Sequence, residues 1–286
     1  MLRLQALVLI LLAATHALAA VARSSFGCAT PPPTSQNLDM SRVLAAKEKA
    51  SRIDFNSKTV FSPKIIIKFY LHVVASSTKP ADGYINNQML GKQVDVLKAD
   101  FAPMNIEFKL VNISRTVNPR WARDGDEMGM KKALRKGLYH DLNIYILPKL
   151  TMDSLGYATF PTIVAPRGSA AFIRDGVNVN TQTLPGGSYT RFNLGRTLTH
   201  EVGHWLGLYH TFEGGCSDVG DMVSDTPAQA SYSSGCPKGR DSCPKMAGKD
   251  PINNYMDYSD DACYTGFSTG QRVRMAGFWH NWRLKS

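Results

Sequence analysis

Three histidines and one glutamate set the chemistry open to this sequence. In Thr199-His200-Glu201-Val202-Gly203-His204-Trp205-Leu206-Gly207-Leu208-Tyr209-His210, His200 and His204 are four positions apart. On a helix their imidazoles leave the same face one turn from each other. Such a pair converges on one cation, and His210, reached after a turn at Gly207, supplies a third nitrogen. Three neutral imidazoles with a fourth position left to water describe a catalytic zinc, since structural zinc is closed by four protein ligands. Glu201 follows the first ligand and is expected beside the ion without binding it. From there it takes a proton from the attacking water, whose pKa the ion lowers towards about 7. It then passes that proton to the leaving amine of a cut peptide. Five specified residues in eleven positions recur by chance on the order of 10⁻⁵ in a chain of this length, so an accidental match on an ordinary amphipathic helix is disfavoured.

Placing these groups needs a helix with a defined start and stop. Asn193 is the candidate N-cap. Leu194, Leu198, Val202, Trp205 and Leu206 recur at spacings of three and four, and Gly207 takes the left-handed conformation that ends a helix. Upstream, residues 65–74 are dense in β-branched and aromatic types and predict a buried strand. Ile85, Met89, Val94, Leu97 and Phe101 follow a helical period that stops before Pro103. Ile106, Phe108 and Leu110 alternate with polar neighbours as a second strand. A short helix over 126–136, a third strand over 142–147 and edge strands over 156–160 and 176–183 follow. Strands alternating with helices imply a largely parallel α/β sheet. Beyond Thr211 the chain is rich in Gly, Ser, Asp, Pro and Cys and loses its period, as an irregular region does. Ser268 and Gln271 form a capping box that opens a last helix running to about residue 282.

Residues 1–19 have the three parts of a secretory signal: Arg3, an apolar run from Ala6 to Ala14, and Ala17-Leu18-Ala19. That run is shorter than the roughly 20 residues a membrane-spanning helix needs, and no later segment qualifies. A secreted, extracellular protein without a membrane partner is expected. Residues 20–51 are poor in apolar types and contain Pro31-Pro32-Pro33, which predicts an extended stretch and a short helix over 39–49 outside the main core. An oxidising compartment favours two disulfides among Cys216, Cys236, Cys243 and Cys263. Spacing alone leaves all three pairings open, and Cys28 is left over. The 286 residues are 43% hydrophobic and 20% charged, enough to bury the core of one large domain and to exclude overall disorder. The net charge, 33 − 23 = +10, comes from scattered residues with no basic run, so it reads as a solvated surface with no nucleic-acid partner. Asn112-Ile113-Ser114 is the single glycosylation sequon.

The stretch from His200 to His210 resembles the metzincin metalloproteases, whose zinc motif is H-E-x-x-H-x-x-G-x-x-H. Within them the chain is most similar to the pappalysin family, particularly small secreted fungal-type members, over residues 60–286. The matching stretches are Gly156-Tyr157-Ala158-Thr159-Phe160-Pro161, the zinc helix, Gly220-Asp221 with Asp225-Thr226-Pro227, and residues 253–263. The resemblance implies an α/β (α+β zincin) catalytic domain with a mixed, mostly parallel sheet, an active-site helix and an irregular, disulfide-stapled C-terminal subdomain ending in a helix. It implies the pairings Cys216–Cys243 and Cys236–Cys263. It also implies a methionine turn at Asn254-Tyr255-Met256-Asp257-Tyr258, with Met256 as the floor under the metal and Tyr258 assisting the oxyanion. Residues 156–159 become the cleft's upper edge, where a polypeptide binds as an added strand. Asp218, Asp221, Asp225 and the carbonyl of Thr226 are candidate calcium ligands. Cys28 resembles the thiol that holds the fourth zinc position in latent family members, released by a cut near Ser51-Arg52. Asp260 and Asp261, just past the methionine turn, are candidates to line the pocket after the scissile bond and favour Arg or Lys there.

The expectation is therefore a signal peptide over 1–19, a pro-segment over 20–51 and a catalytic domain over 52–286. The protein is read as a monomeric secreted zinc endopeptidase made as a latent precursor. The rival reading is a catalytically silent secreted binding protein on a protease scaffold. Retention of Glu201 with all three ligands speaks against it, because a scaffold needs only the packing.

Overall fold

The computed structural model describes residues 27–50, 63–163, 166–217 and 219–285. The expected signal peptide, the Ser51-Arg52 cleavage position and Asp218 lie outside the described residues. Five strands form one sheet in the order β2-β1-β3-β5-β4, built from β1 (Ile65–Ala75), β2 (Ile106–Val117), β3 (Leu142–Leu147), β4 (Gly156–Ala158) and β5 (Val177–Asn180). The first four in that order run parallel, and β4 alone is antiparallel, pairing Gly156 with Val179 and Ala158 with Val177. β3 (LNIYIL) is buried at every position, as a central parallel strand covered on both faces must be.

Helix α2 (Asn87–Phe101) joins β1 to β2, and α5 (Arg196–Trp205) lies beside it. Leu90, Leu97 and Phe101 of α2 and Leu198, Val202 and Trp205 of α5 share one apolar core with Ile67, Phe69, Leu71 and Ile144 of the sheet. On the opposite face, α3 (Glu127–Leu134), with the short α4 (Ala170–Arg174) beside it, contributes Met130 to a second cluster with Val74, Tyr145 and Leu147. Beyond α5 the chain is irregular and is tied by the disulfides Cys216–Cys243 and Cys236–Cys263. It ends in α6 (Thr269–Phe278) and a π-helical turn (Trp279–Arg283). The Ser268–Gln271 capping box opens α6 as expected.

Two local expectations differ from the structure. The helix α1 (Ser35–Ala50) is longer than the expected 39–49 and does not stand apart. Its Leu44 is buried against Phe278 and Trp282, with Met40 alongside. Helix α5 begins at Arg196, and Asn193 instead donates from its side-chain amide to the Gly187 carbonyl at 2.7 Å. Asp261 meets the free amides at this end, accepting from Leu194 N at 2.8 Å and Arg196 N at 3.3 Å. A capping group supplied across 65 or more residues lies beyond any rule about neighbouring positions.

The other end of α5 is held by Arg283, buried at the chain's C-terminal turn. Its guanidinium donates to the Trp205 carbonyl at 2.9 Å and to Asp175 at 2.8 Å, and stacks over the Trp205 ring. Asp175 also accepts from Trp205 Nε1 at 3.2 Å and pairs with Arg135 at 3.3 Å. An Arg283→Met change leaves a buried carboxylate short of a cation and frees the last carbonyls of α5. The expected cost is about 3 kcal/mol, read as a melting temperature lower by several degrees. An unchanged melting curve would refute this account of the helix anchor.

Candidate metal centre

The Nε2 atoms of His200, His204 and His210 point at one spot. His204 Nε2 lies 3.1 Å from His200 Nε2 and 3.1 Å from His210 Nε2. Tetrahedral ligands about 2.0–2.1 Å from one ion stand a little over 3 Å apart, so the spacing fits a single small cation. The ring tautomers follow from their partners. His200 Nδ1 donates to the Tyr255 carbonyl at 2.7 Å, and His204 Nδ1 donates to the Leu208 carbonyl at 2.8 Å. A carbonyl only accepts, so in both rings the proton is on Nδ1 and the Nε2 lone pair is free. His210 Nδ1 faces the Glu213 carboxylate at 3.5 Å. Burial holds His200 down to about 4 and drives His204 and His210 well below the usual imidazole range, the neighbouring rings adding to the effect. The neutral form of each ring is favoured, and the facing Nε2 lone pairs of His200 and His204 have no proton between them.

Two glycines in the motif answer to packing. Gly207 has φ +96°, the left-handed turn that brings His210 back. A Cβ at Gly203 would lie 2.4 Å from Met256 Sδ, so the methionine occupies the space under the helix between the two ligand turns. The Met256 turn is held by Asn254, whose side chain accepts from Met256 N at 3.0 Å and exchanges two bonds with Gln271. Met256 thus packs directly against the helix that carries His200 and His204. The Tyr258 hydroxyl is 3.0 Å from His210 Nε2.

Glu201 is buried beside the rings. Its Oε2 accepts from Thr30 Oγ1 at 2.9 Å and from the Cys28 thiol at 3.4 Å, and its Oε1 has no hydrogen-bond partner. Burial pushes this carboxyl up to about 8, against the two hydrogen bonds that lower it. A dication at the rings would draw it back down. The donor set therefore fits a metal with an adjacent base: three converging imidazole nitrogens and one unpartnered carboxylate oxygen. Cys28 completes the group, its Sγ within 4.8 Å of all three histidine nitrogens, and this is the compact cluster of metal-ligating side chains found among the described residues. The segment that carries it is bonded to β4: Leu155 N donates to Gly27 O at 3.0 Å, Ala29 N to Gly156 O at 2.9 Å, and Ala158 N to Thr30 Oγ1 at 2.8 Å. The bridge between Cys28 and Gly156 is parallel.

The other candidates fall in different places. The cavity beside the rings, about 290 Å³, is lined by Leu155, Phe192, Tyr232, Tyr264 and Asp261 among others. Asp260 is not among its lining residues and is ion-paired with Arg191 at 2.5 Å. Asp261, pushed up to about 6 by burial, uses Oδ2 on the amides that open α5. In the loop after the motif, Asp221 is buried, with Oδ1 accepting from Thr226 Oγ1 at 2.6 Å and Oδ2 unpartnered. Asp225 instead faces α6, accepting from Ser268 Oγ and Gly270 N, each at 2.7 Å. Asn112 is exposed on the edge strand β2. Sequence reasoning missed Thr30 and Asp100. Asp100 of α2 accepts from Thr199 Oγ1 at 2.6 Å and Tyr255 OH at 2.9 Å, and pairs with Arg196. It steadies Tyr255, whose carbonyl orients His200, yet it lies 100 positions upstream and no motif marks it.

Known proteins share this architecture. The profile of the Peptidase_M43 family, described as pregnancy-associated plasma protein-A, matches residues 136–280. An extracellular metalloprotease of Verticillium alfalfae is 56% identical over 259 residues, covering 91% of this chain and 90% of its own. Extracellular metalloprotease 1 of Coccidioides posadasii is 50% identical, with 90% of each chain covered. Among solved structures, mature mirolysin of Tannerella forsythia in complex with a cleaved peptide superposes with a TM-score of 0.63 at 31% identity, covering 75% of this chain and 91% of that one.

A side chain at position 156 tests the placement of Glu201 directly, because a Cβ there would lie 2.8 Å from Glu201 Cγ and 2.9 Å from its Oε1. Gly156→Ala should lower kcat at least tenfold while the bound metal, measured by metal analysis, stays at the wild-type content. Full activity in this variant would mean that Glu201 works from another position.

Proposed function

This chain belongs to the Peptidase_M43 or pappalysin family of metalloproteases, and from that premise we propose that it is a zinc endopeptidase made as a latent precursor. It is a hydrolase and, like its relatives, an extracellular one. One observation carries the reading: three buried Nε2 lone pairs converge while the Nδ1 protons of His200 and His204 are spent on carbonyls. A zinc ion held by His200, His204 and His210 supplies Lewis acidity towards both a water and a peptide carbonyl. The remaining work belongs to the chain. Glu201 takes the proton from the attacking water on Oε1 and delivers it to the amine that leaves. Tyr258, its hydroxyl 3.0 Å from His210 Nε2, donates to the oxygen on which negative charge develops. Met256 keeps the floor apolar and water-free.

The substrate is a polypeptide lying along β4 as an added strand. The bonding of residues 27–30 to that edge supports this, because backbone groups of β4 are open to a partner. Asp261 is the carboxylate placed to meet a basic side chain in the adjoining cavity, since the charge of Asp260 is already met by Arg191. Latency in this proposal rests on Cys28, whose Sγ lies within 4.8 Å of the three histidine nitrogens and donates to Glu201, which supports its serving as the fourth ligand. One group thus blocks both the metal and the base. The domain limits proposed with it are a signal over 1–19, a pro-segment over 20–51 and a catalytic domain over 52–286. A calcium ion in the loop at Asp221, with Thr226 beside it, has the support of one buried, unpartnered carboxylate oxygen. Asn112 is accessible to glycan transfer.

Glu201→Gln should lower kcat by about 10²–10⁴-fold and leave zinc content unchanged. A silent binding protein would show no proteolysis to lose, so equal casein digestion, or none, in both forms would reject the reading. Phenanthroline should abolish digestion and lower the melting temperature, with zinc at low excess restoring both. In the full-length chain, Cys28→Ser should cleave peptides before processing, whereas a wild-type lag in that variant would remove Cys28 from the account.

A further inference from the structure

Resting on the latent-precursor reading, we propose that the surface of α6 around Gly277 and Arg274 is a docking site for residues 27–50 of this same chain, one that keeps the segment bound, and inhibitory in trans, after the chain is cut behind it. Helix α1 presents Asn37, Ser41, Leu44 and Glu48 on one face, and all four are buried. Those spacings of three and four define a single helical stripe. Each has a partner on the catalytic part. Asn37 Nδ2 donates to the Pro161 carbonyl at 2.8 Å, and the Ser41 and Tyr209 hydroxyls are 2.9 Å apart. Leu44 fills the gap left by Gly277, where a Cβ would come within 2.7 Å of its methyl carbons, and packs with Phe278 and Trp282. Glu48 pairs with Arg274 at 3.4 Å, both side chains buried.

The same segment touches the catalytic part a second time, through residues 27–30 on β4 and Cys28 at the rings. Pro31-Pro32-Pro33 joins the two contacts, and prolines keep such a spacer short of conformations. Two modest contacts on one stiff chain reinforce each other, because the first to form raises the effective concentration of the second. Both contacts lie before residue 51, so a cut after that position breaks neither. The α6 contact supplies hold on the segment, and the Cys28 strand supplies the block. The buried Glu48–Arg274 pair sets register, since a helix shifted by one turn would part the two charges and leave the buried guanidinium with the Met222 carbonyl alone.

The test is a size swap between positions 44 and 277, neither of which touches the metal centre. Full-length wild type, Gly277→Leu and Gly277→Leu with Leu44→Ala are compared by the rate of Cys28 alkylation with iodoacetamide, which needs no activity, and by cleavage of a quenched fluorescent peptide. Leucine is a good helix former, so α6 is retained. Gly277→Leu should alkylate at least tenfold faster than wild type and cleave the peptide without processing, and the double variant should return towards wild type in both. In trans, a synthetic peptide of residues 27–50 should inhibit the matured wild-type enzyme and inhibit matured Gly277→Leu at least tenfold less. Its Leu44→Ala form should recover inhibition of Gly277→Leu. Wild-type alkylation in full-length Gly277→Leu, or equal inhibition of both matured enzymes, overturns the docking site and leaves the protease reading intact. A matured enzyme that binds zinc but cleaves nothing overturns the protease reading, while the alkylation rates still decide the docking site.

Discussion

Three imidazole lone pairs aimed at one another inside a protein are an electrostatic problem with one chemical solution. Burial disfavours a proton on each of the rings, and the Tyr255 and Leu208 carbonyls fix the tautomers of His200 and His204 with the free lone pair inward. A cation resolves the repulsion, and the same cation makes a neighbouring buried carboxylate useful as a base. The rest of the molecule can be understood as what it takes to hold that arrangement still.

Holding it still falls mostly to groups remote in sequence. Helix α5 has no cap of its own at its start and is closed there by Asp261, from beyond the methionine turn; Asp100, from α2, bonds Thr199 and Tyr255 nearby. At its end the last carbonyl is taken by Arg283, which Asp175 holds in turn. Ridges on the helix meet Met256 only because position 203 has no side chain. Such outer contacts set the geometry of metal ligands nearly as firmly as the ligands' own rotamers. They also explain why the disulfides lie where they do: Cys236–Cys263 ties the loop bearing Asp261 to the irregular region, so that a segment without regular structure positions a helix.

The open edge of β4 is a shared resource. Residues 27–30 use it in the parallel sense, which brings the Cys28 thiol beside the three rings, and in the function proposed above a substrate backbone would take the same edge. On that proposal the same backbone groups would serve substrate and attached segment alike, and covalent attachment raises the effective concentration of the segment at the edge.

The sequence by itself determined the metal chemistry. H-E-x-x-H-x-x-G-x-x-H states its own geometry, because a helix fixes the angle between positions four apart and a glycine fixes the turn that returns His210. It also determined the main elements: β3 matches at both ends, and β1, α2 and the Ser268 cap follow from period and capping chemistry that are local properties. Only the tertiary structure decided the rest. It showed that Asn193 gives up the capping role to Asp261, that α1 is packed against α6, that Asp225 serves α6 while Asp221 keeps a free oxygen, and that Thr30 and Asp100 belong to the site. The division has a physical reason. Periodicity and caps depend on residues within a few positions, whereas these partnerships join atoms dozens to hundreds of residues apart, and which distant groups meet is set by how the whole core packs.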